Sequence, residues 1–232
     1  ETDPQDQLSL TVSPGVTVQS EGSRQVKATL QYRMQGVARF GGEDGNDSED
    51  LYHYLNAAGK AELVEDFLFI DADARISQEL ISLLGSPADP AVNASNRATT
   101  GSYSISPYIK KRFGTFADAE ARYTLSGALF EEKAASDLSG NEFIASLGSG
   151  SRFGNLNWGL NYSFRDVSDR DADIGGDTSY TYERADLVLG YALTRKFRLI
   201  GNVGNEWIEY DSALAAANNR DDSLWSAGFA WS

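Results

Sequence analysis

The sequence lacks cysteine altogether, and its acidic residues outnumber the basic ones to give a formal net charge of −14. Without thiols, the chain has neither a disulfide framework nor a thiolate metal site. The scarcity of positive charge argues against a nucleic-acid partner, because phosphates attract basic surfaces. No window holds the roughly 18 consecutive apolar residues that a transmembrane helix needs. A helical span is therefore excluded, whereas a membrane β-barrel stays possible because its strands alternate apolar and polar residues.

The stretch Leu156–Asp166 has a strict period of two. Its even positions up to 164 are leucine, tryptophan, leucine, tyrosine and phenylalanine, whereas its odd positions up to 165 are asparagine, glycine, serine and arginine. This period predicts a β-strand with one apolar and one polar face. In a soluble sheet the apolar face would be the core, and in an outer-membrane barrel it would contact lipid.

Alternating segments recur along the whole chain. We predict eleven strands, at Leu8–Val18, Arg24–Phe40, Leu51–Val64, Phe67–Glu79, Thr99–Phe113, Phe116–Phe130, Glu142–Phe153, Leu156–Asp166, Tyr180–Thr194, Phe197–Tyr210 and Ser223–Trp231. Short links alternate with long polar ones, the short ones near 19–23, 65–66, 114–115, 154–155 and 195–196. This alternation is typical of an up-and-down antiparallel meander with tight turns at one rim and loops at the other.

The length of the segments favours a membrane barrel over a soluble sheet with a charged outer face. Most segments exceed ten residues, and tilted strands of about 9–11 residues cross a bilayer. We therefore predict an all-β chain, a single domain over residues 1–232, folded as an up-and-down transmembrane β-barrel of the outer-membrane type. Single-chain bacterial barrels have even strand numbers. The odd count, with no signal peptide at Glu1, predicts part of a larger barrel, incomplete at both ends.

The alternation places charged side chains on one parity and large apolar ones on the other. An arginine or lysine at the bilayer midplane costs about 2–4 kcal/mol, so a barrel requires such a partition. The residues predicted to line the lumen are Lys27, Arg33, Arg39, Lys60, Glu62, Asp71, Asp73, Arg75, Asp118, Glu120, Arg122, Arg152, Arg165, Arg184, Asp186, Arg198 and Glu206. The residues predicted to face lipid or to form aromatic girdles are Phe40, Phe67, Phe153, Trp158, Leu160, Tyr162, Phe164, Phe197 and Trp207.

The link at Glu65-Asp66 also predicts a register. Counting back equally from that turn places Lys60 opposite Asp71 and Glu62 opposite Phe69. Charges from two neighbouring strands would then share one wall.

No catalytic or metal site is predicted. Asp169, Asp171 and Asp173 have the one-apart spacing of a calcium loop, but Ile174 and Tyr180 stand where that loop needs glycine and its last acid. The acidic loops are therefore interpreted as solvated, with no metal and no other cofactor.

The single histidine, His53, shares the parity of Leu51 and Leu55 at the loop end of its strand. A hydrolase would need this histidine held beside a serine or an aspartate. We interpret His53 as an interfacial residue and predict no enzymatic activity.

Four stretches carry a family resemblance, namely LNAAGKAELVEDFLFIDADARISQELIS (Leu55–Ser82), SYSISPYIKKRFGTFADAEARYT (Ser102–Thr124), FGNLNWGLNYS (Phe153–Ser163) and YERADLVLGYALT (Tyr182–Thr194). With them the chain resembles the PEP-CTERM-system-associated outer-membrane proteins, porin-like barrels found beside exosortase and exopolysaccharide loci. The resemblance extends from about Gln7 to Ser232. It implies a Gram-negative outer-membrane location and a role in exporting polysaccharide or sorted surface proteins. It implies no catalytic residues, and this sequence lacks that family's secretion signal, first strand and final strands.

Two functions stay open at this point. Opposed acidic and basic rows either line a water-filled, solute-selecting channel or pair and fill a narrow barrel that anchors envelope partners. Tyr52, Tyr54, Tyr180 and Tyr182 offer faces for stacking sugars, although tyrosines at strand ends are also typical of girdles. The partners expected are membrane lipid and lipopolysaccharide, with polysaccharide or other export proteins as further candidates.

Overall fold

The computed structural model describes residues 8–20, 25–40, 48–80, 97–131, 137–169, 179–212 and 216–231. These residues form twelve antiparallel strands and no α-helix. The strands are β1 (Leu8–Val12), β2 (Gly15–Gln19), β3 (Val26–Phe40), β4 (Ser48–Val64), β5 (Leu68–Leu80), β6 (Arg97–Phe113), β7 (Ala117–Phe130), β8 (Leu138–Ser149), β9 (Leu156–Asp169), β10 (Tyr180–Ala192), β11 (Phe197–Tyr210) and β12 (Arg220–Trp231). No helix among the described residues is long and apolar enough to cross a membrane.

All twelve strands belong to one up-and-down sheet. Its order is β1-β3-β4-β5-β6-β7-β8-β9-β10-β11-β12, and β2 also pairs with β3. The all-β class and the antiparallel meander predicted from the sequence are therefore confirmed. The sheet is not closed, and β1 and β12 lie at its edges.

The predicted count of eleven strands is one too low, because the segment Leu8–Val18 is two strands. β1 pairs with the end of β3 from Gly36 to Phe40, and β2 pairs with residues from Thr29 to Arg33. Pro14 separates the two and has no N–H to give to the ladder. Its carbonyl accepts a hydrogen bond from the N–H of Met34 at 3.0 Å, so β1 and β2 follow one edge with a break between them.

The predicted strand Glu142–Phe153 is displaced. β8 begins four residues earlier, at Leu138, and ends at Ser149, and a 3₁₀ turn then runs over Ser151–Phe153. The start was missed because Leu138–Asn141 does not alternate, yet it pairs with the end of β9.

The short rim is built from tight turns. In two of them the last residue donates its N–H to the carbonyl three residues before, Phe67 to Val64 and Phe116 to Phe113, each at 3.0 Å. Gly114 has a φ of +58°, a conformation open to glycine at no steric cost.

The turn between β6 and β7 is bound to the segment that follows β8. The N–H of Gly150 donates to the carbonyl of Phe116 at 2.7 Å, and the N–H of Arg152 donates to that of Thr115 at 2.8 Å. A Cβ atom added to Gly150 would lie 2.3 Å from the Thr115 carbonyl oxygen. Only a residue without a side chain fits this approach.

We therefore expect Gly150→Ala to lower the free energy of unfolding by about 1–3 kcal/mol, the usual cost of forcing extra volume into a packed site. Gly148→Ala is the matched control, since a Cβ there meets no atom within 4 Å. The measurement is the urea midpoint of the folded protein in detergent. Equal midpoints for the two variants would contradict the tight approach of the turns.

The register gives the sheet two consistent faces, because directly opposed residues in an antiparallel pair point to the same side. We call the side that carries Asn161 and Arg165 the polar face, and the side that carries Trp158 and Leu160 the apolar face. The pairings extend both faces from β1 and β2 to β12, with one register shift between Glu62 and Val64 at the end of β4.

The sheet is a single layer with almost no core. Among the described residues, the buried hydrophobic side chains are Val37, Tyr52 and Ala117. The large apolar side chains of the apolar face are instead exposed, and on the edge strand Trp225 reaches 81% exposure. A soluble sheet of this size would pack such a face against a second layer.

Candidate functional site on the polar face

The polar face gathers the predicted lumen residues. All of them except Arg152 lie in strands and on this face, according to the register of the pairs. Arg152 lies in the 3₁₀ turn Ser151–Phe153, where strand parity does not apply. Its placement in a strand was wrong because the predicted segment continued past the end of β8.

The predicted lipid-facing residues divide between the apolar face and the turns. Phe40, Trp158, Leu160, Tyr162, Phe164, Phe197 and Trp207 lie on the apolar face. Phe67 lies in the turn before β5, and Phe153 lies in the 3₁₀ turn, where its ring meets that of Trp158 edge-on at 5.5 Å. Phe116 completes this aromatic cluster at the short rim, 5.4 Å from Phe153.

The predicted register around the Glu65-Asp66 turn is confirmed. Lys60 is opposite Asp71, and Glu62 is opposite Phe69. Nζ of Lys60 lies 3.9 Å from Oδ2 of Asp71.

A second cation reaches Asp71 from two strands away. Nη1 of Arg122, on β7, donates to Oδ2 of Asp71 at 3.1 Å. The Arg122 guanidinium carbon also lies 3.8 Å from the ring centroid of Tyr108, and that ring stacks on Phe69 at 5.1 Å. Arg122 thus has an ion pair with Asp71 and a cation–π contact with Tyr108, and the two contacts together restrict its position.

Near the short rim, β6 and β7 carry opposite charges in register. Nζ of Lys110 lies 3.3 Å from Glu120, and Nε of Arg112 donates to Asp118 at 2.7 Å. The sequence analysis did not predict these two cations on the polar face. Three consecutive basic residues, Lys110-Lys111-Arg112, do not alternate with apolar ones, and Pro107 interrupts the segment.

A third group lies over β9, β10 and β11. Nε of Arg184 donates to Asp186 at 3.1 Å, and the Tyr182 hydroxyl donates to Glu206 at 2.9 Å. Asn161 donates a further hydrogen bond to Asp186 at 2.9 Å. The carboxylates here are satisfied by several donors at once, so the wall is polar and ordered.

Two more ion pairs lie towards the rim of the long loops. Arg39, only 5% exposed, is paired with Asp50, and Arg165 is paired with Glu142. The sequence did not predict Glu142 as a partner of Arg165. That pairing depends on the register between β8 and β9, which the 3₁₀ turn between these strands shifts.

Of the four tyrosines proposed to stack sugars, all lie on the polar face. Tyr54 is opposite Arg33, and Tyr182 is opposite Arg165. Tyr54 is therefore on the polar face and not on the side predicted to face lipid.

His53 lies on the apolar face of β4. Its Nδ1 is 2.8 Å from the hydroxyl of Tyr32, and the two rings stack at 6.1 Å. In the part of the chain that the structure describes, no three histidine, aspartate or glutamate side chains come together to hold a metal ion. Asp171 and Asp173 of the rejected calcium motif lie outside the described residues.

The polar face thus carries charged side chains, many of them in ion pairs, together with tyrosine hydroxyls and amides. Groups of this kind form hydrogen bonds and ion pairs with polar or charged solutes. No protein-family model matches this chain, and no curated protein matches it.

Proposed function

We propose that this chain forms the wall of an outer-membrane β-barrel that acts as a porin-like conduit. The observation that carries the proposal is the exposed apolar face of a single-layer sheet. Complete removal of a leucine or phenylalanine side chain from water is favourable by about 1.5–3 kcal/mol, so each partly exposed side chain on that face would gain a part of this free energy in lipid. Leu160 is 49% exposed in the middle of β9, and Phe229 is 70% exposed on β12.

The strand lengths agree with a bilayer. From β3 to β12 each strand has at least 12 residues, more than the 9–11 that cross the hydrocarbon region with the usual tilt. The aromatic cluster of Phe116, Phe153 and Trp158 lies at the short-turn rim, where a girdle would meet the lipid headgroups.

Closure of the barrel needs further strands. The order contains eleven strands joined by antiparallel pairings, so β1 and β12 run in the same direction. An antiparallel barrel requires an odd number of strands between these two edges, in agreement with the even strand numbers of bacterial barrels.

Accessible charges on the polar face agree with a conduit. The Lys60 side chain is 75% exposed and that of Arg112 is 77% exposed in the open sheet, although each lies beside a carboxylate. Export of polysaccharide or of sorted surface proteins is the role that the resemblance to the PEP-CTERM-associated outer-membrane proteins adds to this proposal.

The second candidate function is a non-conducting barrel that anchors envelope partners. It is favoured by the clusters around Asp71 and Asp186, where the charges neutralise each other locally. Charges that are paired in this way can stabilise the interior of a barrel that conducts no ions.

Conductance in a planar bilayer separates the two candidates. We expect purified full-length protein, shown by heat-modifiable migration to be folded, to give a steady open current. Folded, inserted protein without current would contradict the conduit and favour the anchor. Protein that neither inserts nor migrates as a heat-modifiable band would exclude both.

A further inference from the structure

We propose that the polar face carries a binding site for an anionic group, a carboxylate or a phosphate, between Arg33 on β3 and Arg75 on β5. The two arginines line one groove of about 650 Å³ that runs over β2, β3, β4 and β5. The inference rests on the proposed function in one respect, since the polar face must be in contact with water.

The two arginines differ from most of the cations on this face. The cations on β4, β6, β7, β9 and β10 each have a carboxylate oxygen within 4.0 Å, as does Arg39. Arg33 and Arg75 are exposed, and among the described residues neither has a carboxylate at that distance. Lys27, Arg198 and Arg220 likewise have no carboxylate oxygen within 4.0 Å among the described residues, but they do not line this groove. Each of the two guanidinium groups in the groove is therefore available to form an ion pair with a ligand.

The Arg33 guanidinium is held in place by an aromatic ring. Its carbon lies 4.4 Å from the ring centroid of Tyr54, which is its direct partner across the strands. A stacked guanidinium keeps its edge free, and that edge presents parallel N–H donors to a carboxylate or phosphate. A lysine at this position would supply the positive charge but not the two parallel N–H donors.

Two acids of β5, Asp73 and Glu79, share the polar face with Arg75, and both are hydrogen-bonded to serines. Oδ1 of Asp73 accepts a hydrogen bond from the Ser104 hydroxyl at 2.5 Å, and Oε1 of Glu79 accepts one from Ser77 at 3.1 Å. Each carboxylate is thus engaged by a serine.

The rest of the groove is lined by uncharged residues, some polar and some apolar. Thr17, Gln31 and Asn56 line it beside the two arginines. Asn56 is opposite both Gln31 and Arg75, so it lies on the strand between those of the two arginines. Amides and hydroxyls donate hydrogen bonds to an oxyanion and accept them from sugar hydroxyls. In a chain of net charge −14, this groove is a local positive region.

Binding is tested with full-length protein in detergent by titration calorimetry, using glucuronate and inorganic phosphate as probes and glucose as the uncharged control. Glucuronate and phosphate should bind, and glucose should not. Arg33→Gln and Arg75→Gln should each weaken the binding of both anions at least about tenfold, because a charged hydrogen-bond pair is lost. Arg198→Gln is the matched control, an arginine on the same face that also lacks a carboxylate within 4.0 Å among the described residues and lies outside the groove.

A variant that binds the anions more tightly provides a second test, because misfolding cannot explain an increase in affinity. Asp73→Asn removes a negative charge beside the groove and should strengthen anion binding. Equal weakening by Arg198→Gln would mean diffuse attraction by the whole wall and would overturn the site. Protein that conducts but binds neither anion overturns the site alone, whereas arginine-dependent binding by a silent barrel overturns the conduit alone.

Discussion

Replacement of Leu160 by arginine should abolish heat-modifiable migration of the folded protein. Leu160 lies mid-strand on the apolar face, with Leu147 and Leu187 as its direct partners on the two neighbouring strands. If this face contacts lipid, an arginine near the midplane costs about 2–4 kcal/mol, a large part of the stability of one domain. Trp158 lies on the same face and nearer the short rim. Trp158→Arg should therefore also reduce heat-modifiable migration, but by less than Leu160→Arg does.

The matched control is the next residue. Asn161 lies on the polar face between Ser146 and Asp186, and it donates a hydrogen bond to Asp186. An arginine at 161 would meet that carboxylate, so Asn161→Arg should migrate as the unmodified protein does. Equal tolerance of arginine at 160 and 161 would exclude a lipid-facing surface and with it the barrel.

The two faces were predictable because a period of two needs no knowledge of the partner strand. The pairing of Lys60 with Asp71 was predictable as well, although the turn spans three residues, 65–67. A one-residue register shift between Glu62 and Val64 compensates for the extra turn residue, so equal counting from Glu65-Asp66 gives the observed pair. The groove between Arg33 and Arg75 was not predictable, since it depends on which carboxylates lie within reach across three strands.

Registers fail where a turn departs from symmetry. Counting equally from the link at Gly154-Asn155 would place Glu142 opposite Val167, whereas the structure places it opposite Arg165. The 3₁₀ turn at Ser151–Phe153 causes the shift of two residues, and it arises because the chain there follows the neighbouring β6–β7 turn. Local alternation carries no signal of such a contact.

The second large effect concerns ion selectivity. Removal of the charges of Asp71 and Asp73 together should shift the reversal potential of the conducting protein towards that of an anion channel. The structure predicts that the two carboxylates contribute unequally to this shift of the reversal potential. Asp71 is half-buried and neutralised by Arg122 and Lys60, whereas Asp73 is exposed, accepts a hydrogen bond from Ser104 and has no cation within 4.0 Å among the described residues.

Asp73→Asn alone should therefore give most of the shift, and Asp71→Asn should give less of it while it weakens the fold. Loss of Asp71 leaves the half-buried Arg122 with Glu120, 3.6 Å away, as its remaining acidic partner. Ser104→Ala is the matched control, because it removes the hydroxyl partner of Asp73 without changing the charge of the wall. An unchanged reversal potential in a folded, conducting Asp73→Asn variant would place this carboxylate outside the conduction path. The polar face over β5 and β6 would then be structural, and ions would pass along another part of the wall.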